Sequence, residues 1–113
     1  MKQYKIVVIC MCILLLLAGG VYAQQKTVRI LAIGNSFSQD AVEQYRHELA
    51  EAEGISTIIG NMFIGGCSLE RHVKNARDNA PAYAYRKIGT DGKKREKGKM
   101  SLEMVLADED WDY

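Results

Sequence analysis

Three scarcities narrow what this chain of 113 residues does before any motif is read. Proline occurs once, at Pro81, and the ten glycines fall in no repeat, so the chain is neither collagen-like nor a disordered low-complexity segment. An excess of one charge is missing as well: the formal net charge is +1, and with Lys2 and Lys5 set apart in the leader the remaining acids and bases balance. No electrostatic case for nucleic acid or a membrane surface follows. Cysteine is confined to Cys10, Cys12 and Cys67, the first two within that leader. The one thiol beyond it makes no intramolecular disulfide, so the fold must rest on its core.

The leader itself is distinctive. Lys2 and Lys5 precede an apolar segment over residues 6–17, and Val21-Tyr22-Ala23 offers a cleavage site before Gln24. Residues 1–23 therefore read as a secretory signal peptide, with export to the periplasm or the medium as the expectation. The alternative is an uncleaved anchor, the sole route to membrane contact. A spanning helix needs about 20 apolar residues, and residues 6–18 fall short unless 19–23 join them.

The chain beyond the leader is organised around residues 28–40. Val28 and Ile30 to Ile33 form a short apolar run rich in β-branched residues, as in a buried strand of a parallel α/β sheet. It stops at Gly34-Asn35-Ser36, and ligands of open α/β sheets bind outside the carboxyl ends of the strands. Residues 40–53 then carry Val42, Tyr45, Leu49 and Ala52 at helical spacing, closed by Gly54. Overlapping capping boxes, Ser36-x-x-Gln39 and Asp40-x-x-Glu43, supply a purely structural role for Ser36. Residues 55–64 are the next strand, interrupted at Gly60-Asn61. A right-handed βαβ unit is the expected topology, which brings Gly65-Gly66 to the same end of the sheet as Ser36.

Ser68 caps a helix to about Asn79, with Leu69, Val73, Ala76 and Ala80 as its buried stripe and Pro81 as its stop. Residues 82–88 alternate, Tyr83 and Tyr85 on one side and Ala84, Arg86 and Ile88 on the other, and Gly89-Thr90-Asp91-Gly92 turns the chain back over residues 93–99. This hairpin reads as an exposed insertion. Ser101 caps a short helix with Leu102, Val105 and Leu106 inward, Asp108-Glu109-Asp110 is its acidic exit, and Trp111-Asp112-Tyr113 approaches a third core strand. Residues 24–113 are thus expected to be the N-terminal part of a longer α/β domain.

Gly34-Asn35-Ser36-Phe37-Ser38, followed by Ile64-Gly65-Gly66-Cys67-Ser68-Leu69-Glu70-Arg71-His72 and by Asp110-Trp111-Asp112-Tyr113, resembles a bacterial branch of the SGNH (GDSL-like) hydrolases. The resemblance implies a three-layer α/β/α flavodoxin-like sheet, here truncated, with the hairpin as an insertion. It also implies an esterase or deacetylase acting on small-molecule or glycan acyl esters, with no metal and no cofactor. Ser36 would be the nucleophile, and the amides of Ser36 and Gly66 would form the oxyanion hole. Gly65 and Asn35 would line the substrate site, Asn35 standing where the family more often has Asp.

The family's Asp-x-x-His base and its third oxyanion donor are not among these residues. Gln44 precedes His47 by three positions and Leu69 precedes His72, so neither histidine fits. His47 is read on the exposed side of its helix and His72 beside an apolar stripe. Cys67 reads as a small buried residue, and Glu70 with Arg71 as a solvated pair. The basic run Lys93, Lys94, Arg95, Lys97 and Lys99 is read as a solvated hairpin arm. A competing reading is a non-catalytic exported module that holds a glycan on Tyr83 and Tyr85, or a surface interaction protein.

Overall fold

The computed structural model describes residues 2–18 and 25–113. Helix α1, Lys2–Ala18, carries the apolar leader, and its side chains from Lys2 to Leu14 are exposed. Among the described residues no helix is long and apolar enough to cross a membrane. The cleavage site expected at Val21-Tyr22-Ala23 lies outside the described residues.

The rest is a mixed α/β arrangement around an open four-stranded sheet, in the order β1-β2-β3-β4. Strand β1, Thr27–Gly34, pairs in parallel with β2, Ser56–Phe63. Between them run α2, Ser36–Ser38, a π-helical turn over Gln39–Gln44, and α3, Arg46–Ala52. A parallel pair needs such a crossover, because a two-residue hairpin can only reverse the chain. Helix α4, Leu69–Arg77, follows β2, and then β3, Tyr83–Ile88, and β4, Lys94–Met100, add antiparallel to the same sheet. Helix α5, Leu102–Leu106, leads into the last residues.

The pleat of β2 sorts the core into two clusters, since successive side chains point to opposite faces. Ile59 packs with Val42 and Ile88 on the face crossed by the π-helical turn. Met62 packs with Tyr83, Tyr85 and Val105 on the other, where Leu31, Leu102 and Trp111 close in. Each fully buried apolar side chain contributes about 1.5–3 kcal/mol.

Several expectations need correction. Gly60-Asn61 does not interrupt β2 but lies within it. The hairpin is exposed only in its outer arm: residues 94–99 of β4 are exposed, but β3 is hydrogen-bonded to β2, and Tyr83, Tyr85 and Ile88 are buried. Tyr83 and Tyr85 therefore offer no exposed aromatic shelf for a sugar. Of the stripe expected before Gly54 only Val42 is buried: Tyr45 and Leu49 are 56% and 68% exposed, Ala52 is exposed too, and His47 is buried instead. The π-helical turn is the cause: its wider i→i+5 winding rotates the residues that follow, so that positions five apart share the inner side. His47 consequently points inward, not outward. Helix α4 is turned in the same unexpected sense, with Leu69 at 84% exposure and Val73 at 49%, while His72 and Asn75 face the sheet half-buried. Leu106 of α5 is exposed too.

Strand β1 is only half-covered, with Ile33 at 47% exposure. Its outer edge carries the last residue of the chain. Tyr113 donates its N–H to the Arg29 carbonyl at 3.2 Å and accepts from the Leu31 N–H at 2.8 Å. One residue flanked by two on its neighbour is the hydrogen-bond pattern of parallel pairing.

Candidate functional site

The parallel register of β1 and β2 makes Gly34 the partner of Phe63, and the Ile64 N–H donates to the Gly34 carbonyl at 3.2 Å. The Asn35-Ser36 and Gly65-Gly66 turns therefore leave the sheet at the same end. The four residues singled out in the sequence, Asn35, Ser36, Gly65 and Gly66, sit on these two turns.

Asn35, not Ser36, is the cap. Its Oδ1 accepts from the Phe37 N–H at 3.0 Å, and its carbonyl accepts from the Ser38 N–H at 3.0 Å. An asparagine serves here because a short side-chain oxygen on extended backbone reaches the second amide of a helix. Ser36 is then the first residue of α2, exposed, and its hydroxyl has no hydrogen-bond partner among the described residues. Its amide belongs to the first turn, where no intrahelical acceptor exists. Gly34 relieves crowding, since a Cβ there would lie 3.0 Å from the Ser38 Cβ. Gly66 is required for its conformation: φ is +63°, and a Cβ would meet nothing within 4 Å. In that left-handed region only glycine is free of a steric cost.

Neither histidine is hydrogen-bonded to Ser36. His47 is 9% exposed. Its Nδ1 lies 3.1 Å from the Thr57 hydroxyl, and its Nε2 would lie 3.0 Å from a Cβ at Gly92. His72 Nδ1 is 2.8 Å from the Tyr83 hydroxyl, with the two rings stacked at 5.6 Å. Burial pushes the Tyr83 hydroxyl above its usual pKa, only partly offset by Asn75. Cys67 is 7% exposed and sits beside this group. An open hollow lined by Ser68, Arg71, Lys74 and Arg77 runs along α4, and neither Ser36 nor Gly66 lines it. Among the described residues no group of three His, Cys, Asp or Glu side chains is placed to hold a metal ion.

A buried polar cluster beneath the Ser36 turn escaped the sequence analysis. Asn61, 1% exposed, donates from Nδ2 to Glu43 Oε1 at 2.8 Å, and its Oδ1 faces the Ser38 hydroxyl at 3.0 Å. Arg86 pairs with Glu43 at 3.1 Å, Lys94 approaches it at 3.4 Å, and the Arg86 guanidinium lies 4.7 Å over the Phe63 ring. The available signal was an asparagine in the middle of an apolar strand, a polar group that must be hydrogen-bonded when buried.

Residues 29–113 match a family model described as a domain of unknown function, DUF4886. The chain belongs to this family. It is also similar to a crystal structure at 1.50 Å of a DUF4886 family protein from Bacteroides uniformis ATCC 8492, with 73% identity and a TM-score of 0.75. The match covers 78% of this chain and 34% of that one, so the chain spans about a third of the length of that DUF4886 protein. No curated protein matches the chain.

Proposed function

We propose that this DUF4886 chain is the N-terminal portion of an exported serine hydrolase of the SGNH type, acting on acyl esters of carbohydrates or other small molecules. Ser36 is the nucleophile in this reading, and the amides of Ser36 and Gly66 receive the oxyanion. The supporting observation is the common exit of the two turns: Gly34 and Phe63 are partners in a parallel pair, two residues before Ser36 and three before Gly66. A nucleophile and separate backbone donors on one rim are what acyl transfer requires, because charge develops on the carbonyl oxygen as the hydroxyl attacks. Removing one such donor costs about 3–4 kcal/mol of barrier. Asn35 holds the turn, and Gly65 leaves room for substrate over the second turn.

The base and a third donor belong, in this reading, to a region like the part of the Bacteroides uniformis protein that this chain does not span. Further strands there would extend the sheet on the free side of β1 into a three-layer arrangement. The chain alone is accordingly inactive. The α1 segment, basic at its start and apolar thereafter, supports export as a leader.

The test compares this chain with a form extended to the length of the Bacteroides uniformis protein. Short acyl esters and a serine-reactive fluorophosphonate are the probes. The extended form turns over ester and is labelled at Ser36, and Ser36→Ala abolishes both. Labelling that survives Ser36→Ala, or none in the extended form, rejects the proposal. Full Ser36-dependent turnover by the short chain would show that the base lies within these residues.

A further inference from the structure

The polar cluster under the Ser36 turn has a geometry that simple filling of space does not require. In a regular α-helix, residues five apart stand about 140° apart around the axis. Ser38 and Glu43 nevertheless both reach Asn61, because the π-helical turn over Gln39–Gln44 brings positions five apart to one side. They grip the two ends of one amide. The Ser38 hydroxyl, 3.0 Å from Asn61 Oδ1, also lies 2.7 Å from the carbonyl of Asn35, the residue before Ser36. On the far side Glu43 is held by Arg86 and Lys94, and Arg86 in turn reaches Glu96 at 3.4 Å. Ser38 has a single hydroxyl proton, shared between Asn61 Oδ1 and the Asn35 carbonyl as a three-centre contact, and through it a polar path runs from a buried ion pair in the sheet to the backbone that carries the candidate nucleophile.

We propose that Ser38, Asn61 and Glu43 are positioning residues for Ser36. The polarity of their hydrogen bonds, not their bulk, sets the Asn35–Ser38 turn and with it the direction of the Ser36 hydroxyl and amide. The inference rests on the Ser36 assignment for its catalytic meaning, while the clamp itself is a separate structural claim. Asn61 is the pivot because an amide alone offers an acceptor to Ser38 and a donor to Glu43 at once.

A swap of polarity tests it. Asn61→Asp keeps the acceptor for Ser38 but sets a second carboxylate against Glu43. Glu43→Gln leaves one oxygen for either Asn61 or the Arg86 and Lys94 side, and an NH2 donor facing the other. The double variant Asn61→Asp/Glu43→Gln rebuilds the bond in reverse, the new glutamine amide donating to the new carboxylate while its oxygen stays toward Arg86 and Lys94. Two readouts are followed. The first is hydrogen exchange at the Phe37 and Ser38 amides of the full chain, and the second is fluorophosphonate labelling of Ser36 in the extended form. Asn61→Asp speeds exchange at both amides and slows labelling by about tenfold, the scale of one lost hydrogen bond to a charged group. Glu43→Gln, which leaves Arg86 and Lys94 without their carboxylate, shifts both readouts in the same direction as Asn61→Asp, and the double variant returns both closer to the parent than either single variant.

Unchanged exchange in Asn61→Asp, or a double variant no better than the single, overturns the clamp. If Asn61→Asp does not fold, Ser38→Ala replaces it: faster exchange at Phe37 supports the clamp and parent-like exchange overturns it. If the extended parent is never labelled while the exchange pattern holds, the hydrolase reading falls and the clamp survives it.

Discussion

Gly60 lies in the middle of a strand because Trp111 occupies the place of its side chain. A Cβ at Gly60 would sit 2.6 Å from Trp111 Cη2, and the indole is held there by its own Nε1–H, which donates to the Val105 carbonyl at 2.9 Å. The ring cannot retreat without breaking that bond. Gly60→Val is therefore expected to destabilise the fold by about 1–3 kcal/mol through overpacking, measured as a lower urea midpoint at unchanged slope. From the sequence, this glycine looked like a gap in the strand. A strand glycine marks either a bend or a close approach, and the two are told apart only by knowing what lies above it. The place of Ser36 on a turn after β1 was legible for the opposite reason, since its surroundings are local: Gly34, Asn35 and Ser38 are its near neighbours in the chain. Even so, the capping role fell to Asn35.

At the scale of the element, the acidic exit of α5 is a latch. Lys87 of β3 reaches Asp108 at 3.0 Å and Glu109 at 2.6 Å, Arg29 of β1 reaches Glu109 at 3.3 Å, and the Tyr85 hydroxyl donates to Asp108 at 2.8 Å. Lys87 holds the Glu109 carboxyl below its ordinary pKa. Burial pushes the Asp108 carboxyl up, but Lys87 and Tyr85 outweigh it and leave that group lowered as well. Depressed carboxyls contribute stability above their unfolded pKa, near 4, and lose it as pH falls through the lower folded values. The fold should therefore weaken from about pH 5 downward. Lys87→Met should cost about 1 kcal/mol at pH 7 and flatten this acid dependence, both read from chemical denaturation across pH. A dependence as steep as the parent's would place the acid-sensitive groups elsewhere. Another latch lies on the β1 edge, where the Leu31 amide is bonded to Tyr113. Since alternate amides of a strand face the same edge, the Ile33 amide points to the same open side. Hydrogen exchange should be slow at Leu31 and fast at Ile33; equal protection would mean that the edge is closed along its length.

For the whole molecule, the exposed apolar side chains form a pattern of their own. Ile33 on the open strand, Tyr45 just before α3 and Leu49 on it, and Leu69 and Val73 on α4 are each more than 45% exposed. An open strand edge beside uncovered apolar side chains is a template for association. The chain is expected to associate with rising concentration, and Ile33→Lys with Leu49→Lys should raise the threshold at which light scattering begins. Concentration-independent scattering by the parent would show that these surfaces are inert. The same exposure accounts for the sequence patterns that pointed the wrong way. Tyr45, Leu49, Leu69 and Val73 have the spacing of buried stripes, yet only a covering layer makes a stripe buried. Among the described residues none lies over these four.

Local chemistry determined a great deal by itself. The strand ending at Gly34, the parallel crossover to residues 56–63, the caps at Ser68 and Ser101 and the hairpin turn at residues 89–92 follow from hydrophobic period and turn preference, which act over a few residues. What only the tertiary structure decided is which side of each element faces in. The π-helical turn, the seat of Trp111 on Gly60, the inward turn of His47 and the grip of Ser38 and Glu43 on Asn61 depend on partners 5 to 51 residues away along the chain. A side chain's neighbours in space are set by packing, and packing is a property of the folded chain as a whole.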